Sequence, residues 1–106
     1  MYYVDDDKVK KDIAILKKNK KVYQRYLEKI KEIQINPFDP NVTNKKHFGK
    51  LSKQKYEKHD IYHISITSSI RIHYIIDNNK IIIENIEYDG LVTLLNALDH
   101  DFNSNK

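Results

Sequence analysis

The sequence predicts an α+β fold in which an N-terminal two-helix hairpin packs on a three- to four-stranded antiparallel sheet, with a short C-terminal helix. Three observations lead to this prediction. Apolar residues recur at helical spacing as far as Pro37, they alternate with polar residues from Tyr62 to Ile75, and leucines return at helical spacing after Gly90. The chain has 106 residues, which suffices for one core only, so we expect residues 1–106 to form a single domain.

The first two helices are predicted from an apolar stripe and its flanking charges. Residues 2–4 are long enough for a short edge strand at most, and the sequence leaves open whether it forms; the acidic residues 5–7 suit the positive end of a helix. The first stripe is spaced i, i+4 and i+7: Val9, Ile13 and Leu16. Asn19 is expected to take a left-handed turn in the lysine-rich joint. The second helix runs from Val22 to residue 36, where Pro37 stops it.

A loop at residues 36–44 follows, and we expect Phe38 to anchor it against the core. Two strands then alternate, with apolar sets Tyr62, Ile64, Ile66 and Ile70, Ile72, Tyr74. A two-residue turn at 68–69 would point these sets to opposite faces, whereas a three-residue turn at 67–69 points them to one face. We favour the three-residue turn, because the register of a strand follows its buried side.

A third strand is expected over residues 80–88 after a turn at Asn78 and Asn79, where it would pair with the second strand and place His73 opposite Glu84. Gly90 then breaks the strand. The leucines beyond it predict the C-terminal helix: Leu91, Leu94, Leu95 and Leu98.

Charge is unevenly distributed along the chain. Residues 1–60 carry 16 Lys and Arg against 9 Asp and Glu, a balance of +7, whereas residues 61–106 carry 3 against 6, a balance of −3. A solvated lysine surface is one explanation, and contact with a polyanion such as RNA is the other. The candidate nucleic-acid contacts lie just before and within the start of the sheet: Lys46, Lys50, Lys53, Lys55 and Lys58.

The composition also excludes some chemistry. The chain has no cysteine, which rules out disulfides, thiolate metal sites and cysteine nucleophiles. Its histidines show no metal-ligand spacing, so neither a metal nor another cofactor is expected. The N-terminal residues lack the apolar region of a secretory signal, and no apolar run reaches membrane-spanning length. We therefore expect a cytoplasmic protein with no membrane partner.

The face opposite the apolar one carries residue types that suit RNA cleavage: His63, Ser65, Arg71, His73, Glu84 and Tyr88. Attack by a 2′-hydroxyl needs a base, a cation for the developing phosphorane charge and an acid for the leaving oxygen. The planar guanidinium of Arg71 suits the phosphate, and pairing with Glu84 or Glu87 across the sheet is the alternative explanation. His73 opposite Glu84 is explained more simply as a surface pair across two strands.

The order of these segments resembles the RelE/ParE superfamily of toxins from bacterial toxin-antitoxin pairs. The segments that carry the resemblance are Lys50-Leu51, the strand Tyr62-His-Ile-Ser-Ile, and the strand Ile70-Arg-Ile-His-Tyr with the Ile-Ile-Asp that follows it. The resemblance implies a two-helix hairpin on an antiparallel sheet. It also implies, for the RelE and YoeB branches, a ribosome-dependent endoribonuclease that cuts messenger RNA and blocks translation.

Residue roles follow from the resemblance. Arg71 corresponds to the arginine that contacts the scissile phosphate, and the lysines would contact messenger and ribosomal RNA. The natural partner would be a cognate antitoxin, an acidic or amphipathic segment bound in a toxin-antitoxin hetero-oligomer.

The last strand departs from the pattern of the cleaving branches, which end it with a histidine, tyrosine or arginine pair. Here the matching place reads Glu87-Tyr88-Asp89-Gly90, so Tyr88 is the one remaining candidate for proton transfer there. His63 or His73 would then be the base. This departure keeps two alternatives open: a ParE-like inhibitor that binds DNA gyrase without a nuclease site, and a non-toxic interaction domain.

Overall fold

The computed structural model describes residues 1–38, 48–56 and 58–98. Within them the chain forms an α+β fold with two α-helices, as the sequence predicts. The strands and helices follow in this order: β1 (Tyr3–Asp5), α1 (Lys10–Leu16), α2 (Lys20–Ile35), β2 (Phe48–Tyr56), β3 (His59–Ser65), β4 (Arg71–Asp77), β5 (Ile81–Ile83), β6 (Ile86–Tyr88) and β7 (Leu91–Asn96). A single 3₁₀ turn, Asp7–Val9, leads into α1.

The main sheet has five strands in the order β1-β7-β4-β3-β2, and β5 pairs with β6 in a separate two-stranded sheet. β1 runs parallel to β7, while the other neighbouring strands are antiparallel. The sheet is therefore mixed, not antiparallel throughout as expected. The edge strand that the sequence left open exists as β1, so a strand, not the helix pair, comes first in the chain.

The core lies between the helices and one face of the sheet. The apolar stripe predicted for the first helix is buried in it, as are Tyr26 and Ile33 of α2. The sheet contributes its alternate residues: Ile64, Ile66, Ile72, Tyr74, Ile76, Val92 and Leu94. Phe38 contacts this layer from the end of α2, with ring centroids 6.2 Å from Tyr2 and 5.9 Å from Tyr62.

Asn19 differs from the prediction. Its backbone is extended, with φ of −119°, and it caps the start of α2 instead of ending α1 with a left-handed turn. Its side-chain oxygen accepts hydrogen bonds from the amides of Lys21 and Val22, at 3.1 and 3.2 Å. Asparagine is a preferred N-cap because it satisfies amides that lack a partner within the helix.

The turn between β3 and β4 has the predicted three residues. Ile64 pairs with Ile72 and Ser65 with Arg71, and the amide of Ile66 donates to the carbonyl of Ile70 at 2.8 Å. The Thr67 hydroxyl closes the turn by accepting from the amides of Ser69 and Ile70. The apolar sets of both strands consequently share the helix-facing side.

Two predictions beyond β4 are wrong. Residues 80–88 do not pair with β4 but fold back on themselves as β5 and β6, with Glu84 and Asn85 at positive φ in the turn. The neighbour of β4 is β7, which lies where a helix was predicted. Val92 and Leu94 are fully buried in β7, a period of two, and the backbone is paired on both sides by β1 and β4.

Candidate functional site

The sheet face turned away from the helices carries a cluster of polar side chains. Because residues directly opposite each other on neighbouring strands share a face, the pairs His63 with His73 and Ser65 with Arg71 place four of them together. Asn96 joins them from β7, where it pairs with His73. We call His63, Ser65, Arg71, His73 and Asn96 the polar cluster.

Arg71 and Ser65 form one end of the polar cluster. The Nε atom of Arg71 and the hydroxyl oxygen of Ser65 are both buried, and neither has a hydrogen-bond partner among the described residues. Arg71 forms no ion pair within that part of the chain either. Buried donors usually have acceptors. A guanidinium N–H beside a hydroxyl therefore offers two hydrogen bonds to an anion such as a phosphate.

The two histidines form the other end. Their rings stack with centroids 6.2 Å apart and an angle of 22° between their planes. His73 is completely buried and His63 is 8% exposed. Two buried isoleucines, Ile61 and Ile75, lie next along the strands on the same face. This end of the cluster is consequently shielded from water, unlike the surface pair with Glu84 that was expected for His73.

Asn96 contacts His73 directly. Its side-chain oxygen lies 2.8 Å from Nδ1 of the imidazole. An amide oxygen only accepts hydrogen bonds, so Nδ1 is the donor and carries a proton. The sequence does not single out Asn96, because the leucines around it have the spacing of a helix. No local signal marks the residue, since its position depends on how β7 pairs with β4.

Tyr88 is not brought to the polar cluster. It lies on β6, and its ring packs edge to face on Tyr3 of β1, with centroids 5.3 Å apart. Tyr3 pairs with Leu91, which pairs with Asp77 at the far end of β4 from Arg71. Six residues of strand, about 20 Å, separate those two ends. Arg71 and His63 are therefore brought together, whereas Tyr88 belongs to a different part of the surface.

The predicted nucleic-acid contacts follow one edge of the sheet. Lys50, Lys53 and Lys55 belong to β2, which is the edge strand beside β3. Lys58 lies in the turn between those two strands, at a φ of 69°, and is exposed. Lys46 lies outside the described residues. The lysine edge, meaning Lys50 to Lys58, is thus adjacent to the strand that carries His63 and Ser65.

A second candidate site is a cavity of about 330 Å³ between α1, α2 and β1. Its walls are mainly apolar, with Ile13 and Leu27 among them, and Lys10, Lys17 and Tyr23 also line it. The ammonium of Lys17 lies 5.6 Å from the centre of the Tyr23 ring, a cation-π arrangement. Asp6 also lines the cavity, 3.4 Å from the ammonium of Lys10, so the cavity offers apolar surface next to this ion pair and to Lys17.

Among the described residues, no group of three histidine, aspartate or glutamate side chains is arranged to hold a metal ion. No helix of that part of the chain is long and apolar enough to cross a membrane. Comparison with protein-family models, curated proteins and solved structures gives no match to this chain. The functional assignment consequently depends on the polar cluster and on the sequence pattern.

Proposed function

We propose that this protein is a cytoplasmic toxin that binds and cleaves messenger RNA on the ribosome, with Arg71 as its phosphate clamp. One observation carries the proposal: the buried Nε of Arg71 and the Ser65 hydroxyl opposite it have no partner among the described residues. Such a pair is suited to the oxygens of a phosphodiester. The segments that resemble the RelE/ParE superfamily contain both residues, which supports the same assignment.

The chemistry that fits the polar cluster is cleavage by the neighbouring 2′-hydroxyl of the RNA. His63 takes the proton of that hydroxyl, whose oxygen then bonds to phosphorus as the bond from phosphorus to the 5′ oxygen breaks. Arg71 stabilises the charge on the phosphorane oxygens. The departing 5′ oxygen takes a proton from water. The products are a 2′,3′-cyclic phosphate and a 5′-hydroxyl end.

The lysine edge supplies contacts to the RNA backbone in this proposal. Lysines that neutralise phosphates provide affinity without sequence preference, while positioned groups such as Arg71 select the reactive phosphate. Because β2 pairs with β3, RNA lying along the edge strand passes beside the polar cluster. In this proposal the lysines of β2 and of the turn after it therefore bind the RNA backbone.

The proposed partner is an antitoxin whose acidic or amphipathic segment binds the toxin in a hetero-oligomer. The helical layer, from Asp7 to Ile35, carries ten lysines and arginines against four acidic residues, which favours an acidic segment. The cavity between the helices would receive apolar side chains of that segment.

The decisive experiment is induced expression of the wild type and of Arg71→Ala in a bacterial host, with growth recorded and messenger-RNA 5′ ends mapped. We expect growth arrest and new 5′ ends with the wild type, and neither with Arg71→Ala. Lys80→Ala is the matched control, since it also removes one positive charge, from an exposed residue beyond the far end of β4. Unchanged toxicity and cleavage in Arg71→Ala would reject the proposal.

A second candidate function is that of a ParE-like inhibitor of DNA gyrase that does not cleave RNA. The position of Tyr88 favours it, because its ring packs on Tyr3 near the Asp77 end of β4 and not near Arg71, which removes one expected proton-transfer group. Arrest with cleaved DNA complexes and intact messenger RNA would establish this alternative. Absence of any arrest would instead indicate a non-toxic interaction domain.

A further inference from the structure

A β-bulge in β7 places Asn96 beside His73. Tyr74 pairs with Leu94. His73, which precedes Tyr74 in β4, pairs with Asn96 and not with Leu95. In a regular ladder Leu95 would have faced His73, and Asn96 would have pointed to the helix-facing side. The extra residue thus turns the asparagine toward the polar face. Bulges are common beside active sites, where they redirect a side chain.

The consequence for His73 concerns its tautomer. The hydrogen bond from Nδ1 to the Asn96 oxygen keeps the proton of the neutral ring on Nδ1, so the lone pair is on Nε2. It also fixes the plane of the ring, against which His63 stacks at an angle of 22°. Because His73 is completely buried, water does not compete for this hydrogen bond.

We propose that Asn96 is a positioning residue, which holds His73 in the Nδ1–H tautomer and, through the stacked rings, orients His63 beside Arg71 and Ser65. The effect of Asn96 on cleavage rests on the proposed nuclease function. The hydrogen bond itself does not depend on that function. In this proposal Asn96 does not contact the RNA and acts only through His73. Many enzymes likewise use a second residue to orient a histidine ring.

The test uses three full-length proteins: the wild type, Asn96→Leu, which keeps a similar volume but has no acceptor, and Asn96→Asp, which keeps an acceptor oxygen. The ¹⁵N shifts of the His73 ring nitrogens are recorded about two pH units above the ordinary histidine pKa of about 6.5, where the neutral ring of an unperturbed histidine prevails. We expect protonated Nδ1 in the wild type and in Asn96→Asp. In Asn96→Leu we expect the Nδ1–H preference to be lost.

Single-turnover cleavage on ribosomes provides the second readout. We expect Asn96→Leu to cleave about 10²-fold more slowly, because a positioned general base accelerates a reaction by about that factor. Its affinity for RNA should be unchanged, since Arg71 is intact. Asn96→Asp should recover most of that loss. The melting temperature of each variant shows whether a loss of activity is caused by unfolding. If Asn96→Leu is unfolded, the comparison of Asn96→Asp with the wild type decides the test.

The two readouts separate the two proposals. An unchanged His73 tautomer in Asn96→Leu would overturn the positioning role whatever the protein does to RNA. Loss of the tautomer preference together with full cleavage would also overturn it. A wild type that cuts no RNA, with a tautomer that still responds to Asn96, would reject the nuclease function and leave the hydrogen-bonding role of Asn96 established.

Discussion

The hydroxyl of Tyr74 donates a buried hydrogen bond of 2.8 Å to the carbonyl oxygen of Pro37. Tyr74 is completely buried in the central strand β4, and Pro37 lies just beyond the end of α2. The bond therefore attaches the exit of the second helix to the middle of the sheet. It also satisfies a carbonyl that has no partner within the helix.

Removal of this hydroxyl should destabilise the fold. Tyr74→Phe leaves the buried carbonyl of Pro37 without its donor, and we expect the free energy of unfolding to fall by about 1–3 kcal/mol. Denaturant-induced unfolding followed by circular dichroism measures the difference. Tyr88→Phe, at a partly exposed position, is the control and should change the free energy by less than about 0.5 kcal/mol. Equal losses in both variants would contradict this reading.

Alkaline pH should lower the free energy of unfolding because Tyr74 is buried with its proton. Burial, then the neighbouring Tyr62, raises the pKa of Tyr74 far above its usual value of about 10. The folded state therefore retains the phenolic proton at pH values where the unfolded chain releases it. The associated stability is fully present below about pH 10 and is lost as pH rises from there toward the folded-state pKa, by up to about 1.4 kcal/mol per pH unit.

The measurement is the free energy of unfolding between about pH 8 and about pH 11, with tyrosinate absorbance recorded in parallel. Burial also raises the pKa of Tyr26, followed by the charge of Asp6 and the neighbouring Tyr23, so the two tyrosines act in the same direction. The pKa values of Tyr2 and Tyr62 are raised as well, in each case mainly by burial. Tyr74→Phe removes the contribution of Tyr74 alone, so its stability should decline less steeply with pH. A decline as steep as that of the wild type would refute the assignment to Tyr74.

The sequence predicted the part of the sheet in which neighbouring strands are also neighbours in the chain. The alternation around Ile64 and Ile72 sets the register of β3 against β4, and the Thr67 turn is compatible with one register only. The same pattern placed Arg71 and His63 on one face, so the centre of the candidate site was predictable.

The other parts of the fold and of the candidate site depend on contacts between segments that are distant in the sequence. The leucines from 91 to 98 have the spacing of a helix. The first six residues of this segment nevertheless form a strand, because their backbone pairs with β1 on one side and with β4 on the other. Tertiary pairing overrides local preference in such cases. Without β7, neither the bulge nor the role of Asn96 follows from the sequence, and residues 80–88 become the expected neighbour of β4.

Gly90 is expected to tolerate no side chain. A Cβ there would lie closer than 3.0 Å to the carbonyl oxygen of Asp77 and 2.9 Å from Cε2 of Tyr2. The Asp77 carbonyl belongs to the backbone of β4 and moves only with the sheet, so Gly90→Ala should cost about 1–3 kcal/mol in the free energy of unfolding. Thermal and denaturant unfolding measure the loss.

Truncating Tyr2 distinguishes the two contacts of Gly90. In the double variant Tyr2→Ala, Gly90→Ala the ring contact is removed but the carbonyl contact remains. We expect the additional cost of Gly90→Ala in the Tyr2→Ala background to stay near its value in the wild type. A cost that vanishes in this background would show that the tyrosine ring, not the backbone of β4, excludes the methyl group.

Arg71→Lys tests whether the guanidinium acts through its shape or only through its charge. Lysine keeps the positive charge but lacks the planar fork that matches two phosphate oxygens. We expect Arg71→Lys to bind a single-stranded RNA with nearly unchanged affinity and salt dependence, yet to cleave by about 10²-fold more slowly, because a lost electrostatic contact to the transition state lowers the rate without lowering binding. Fluorescence anisotropy gives the affinity and single-turnover cleavage gives the rate.

Ser65→Ala and Lys80→Ala complete this comparison. Ser65→Ala removes the hydroxyl opposite Arg71 without altering charge, so it should slow cleavage and leave the salt dependence of binding unchanged. Lys80→Ala removes a charge remote from the polar cluster and should leave cleavage unchanged. If Arg71→Lys cleaves at the wild-type rate, a positive point charge suffices, and the buried Nε of Arg71 is not the group that holds the phosphate.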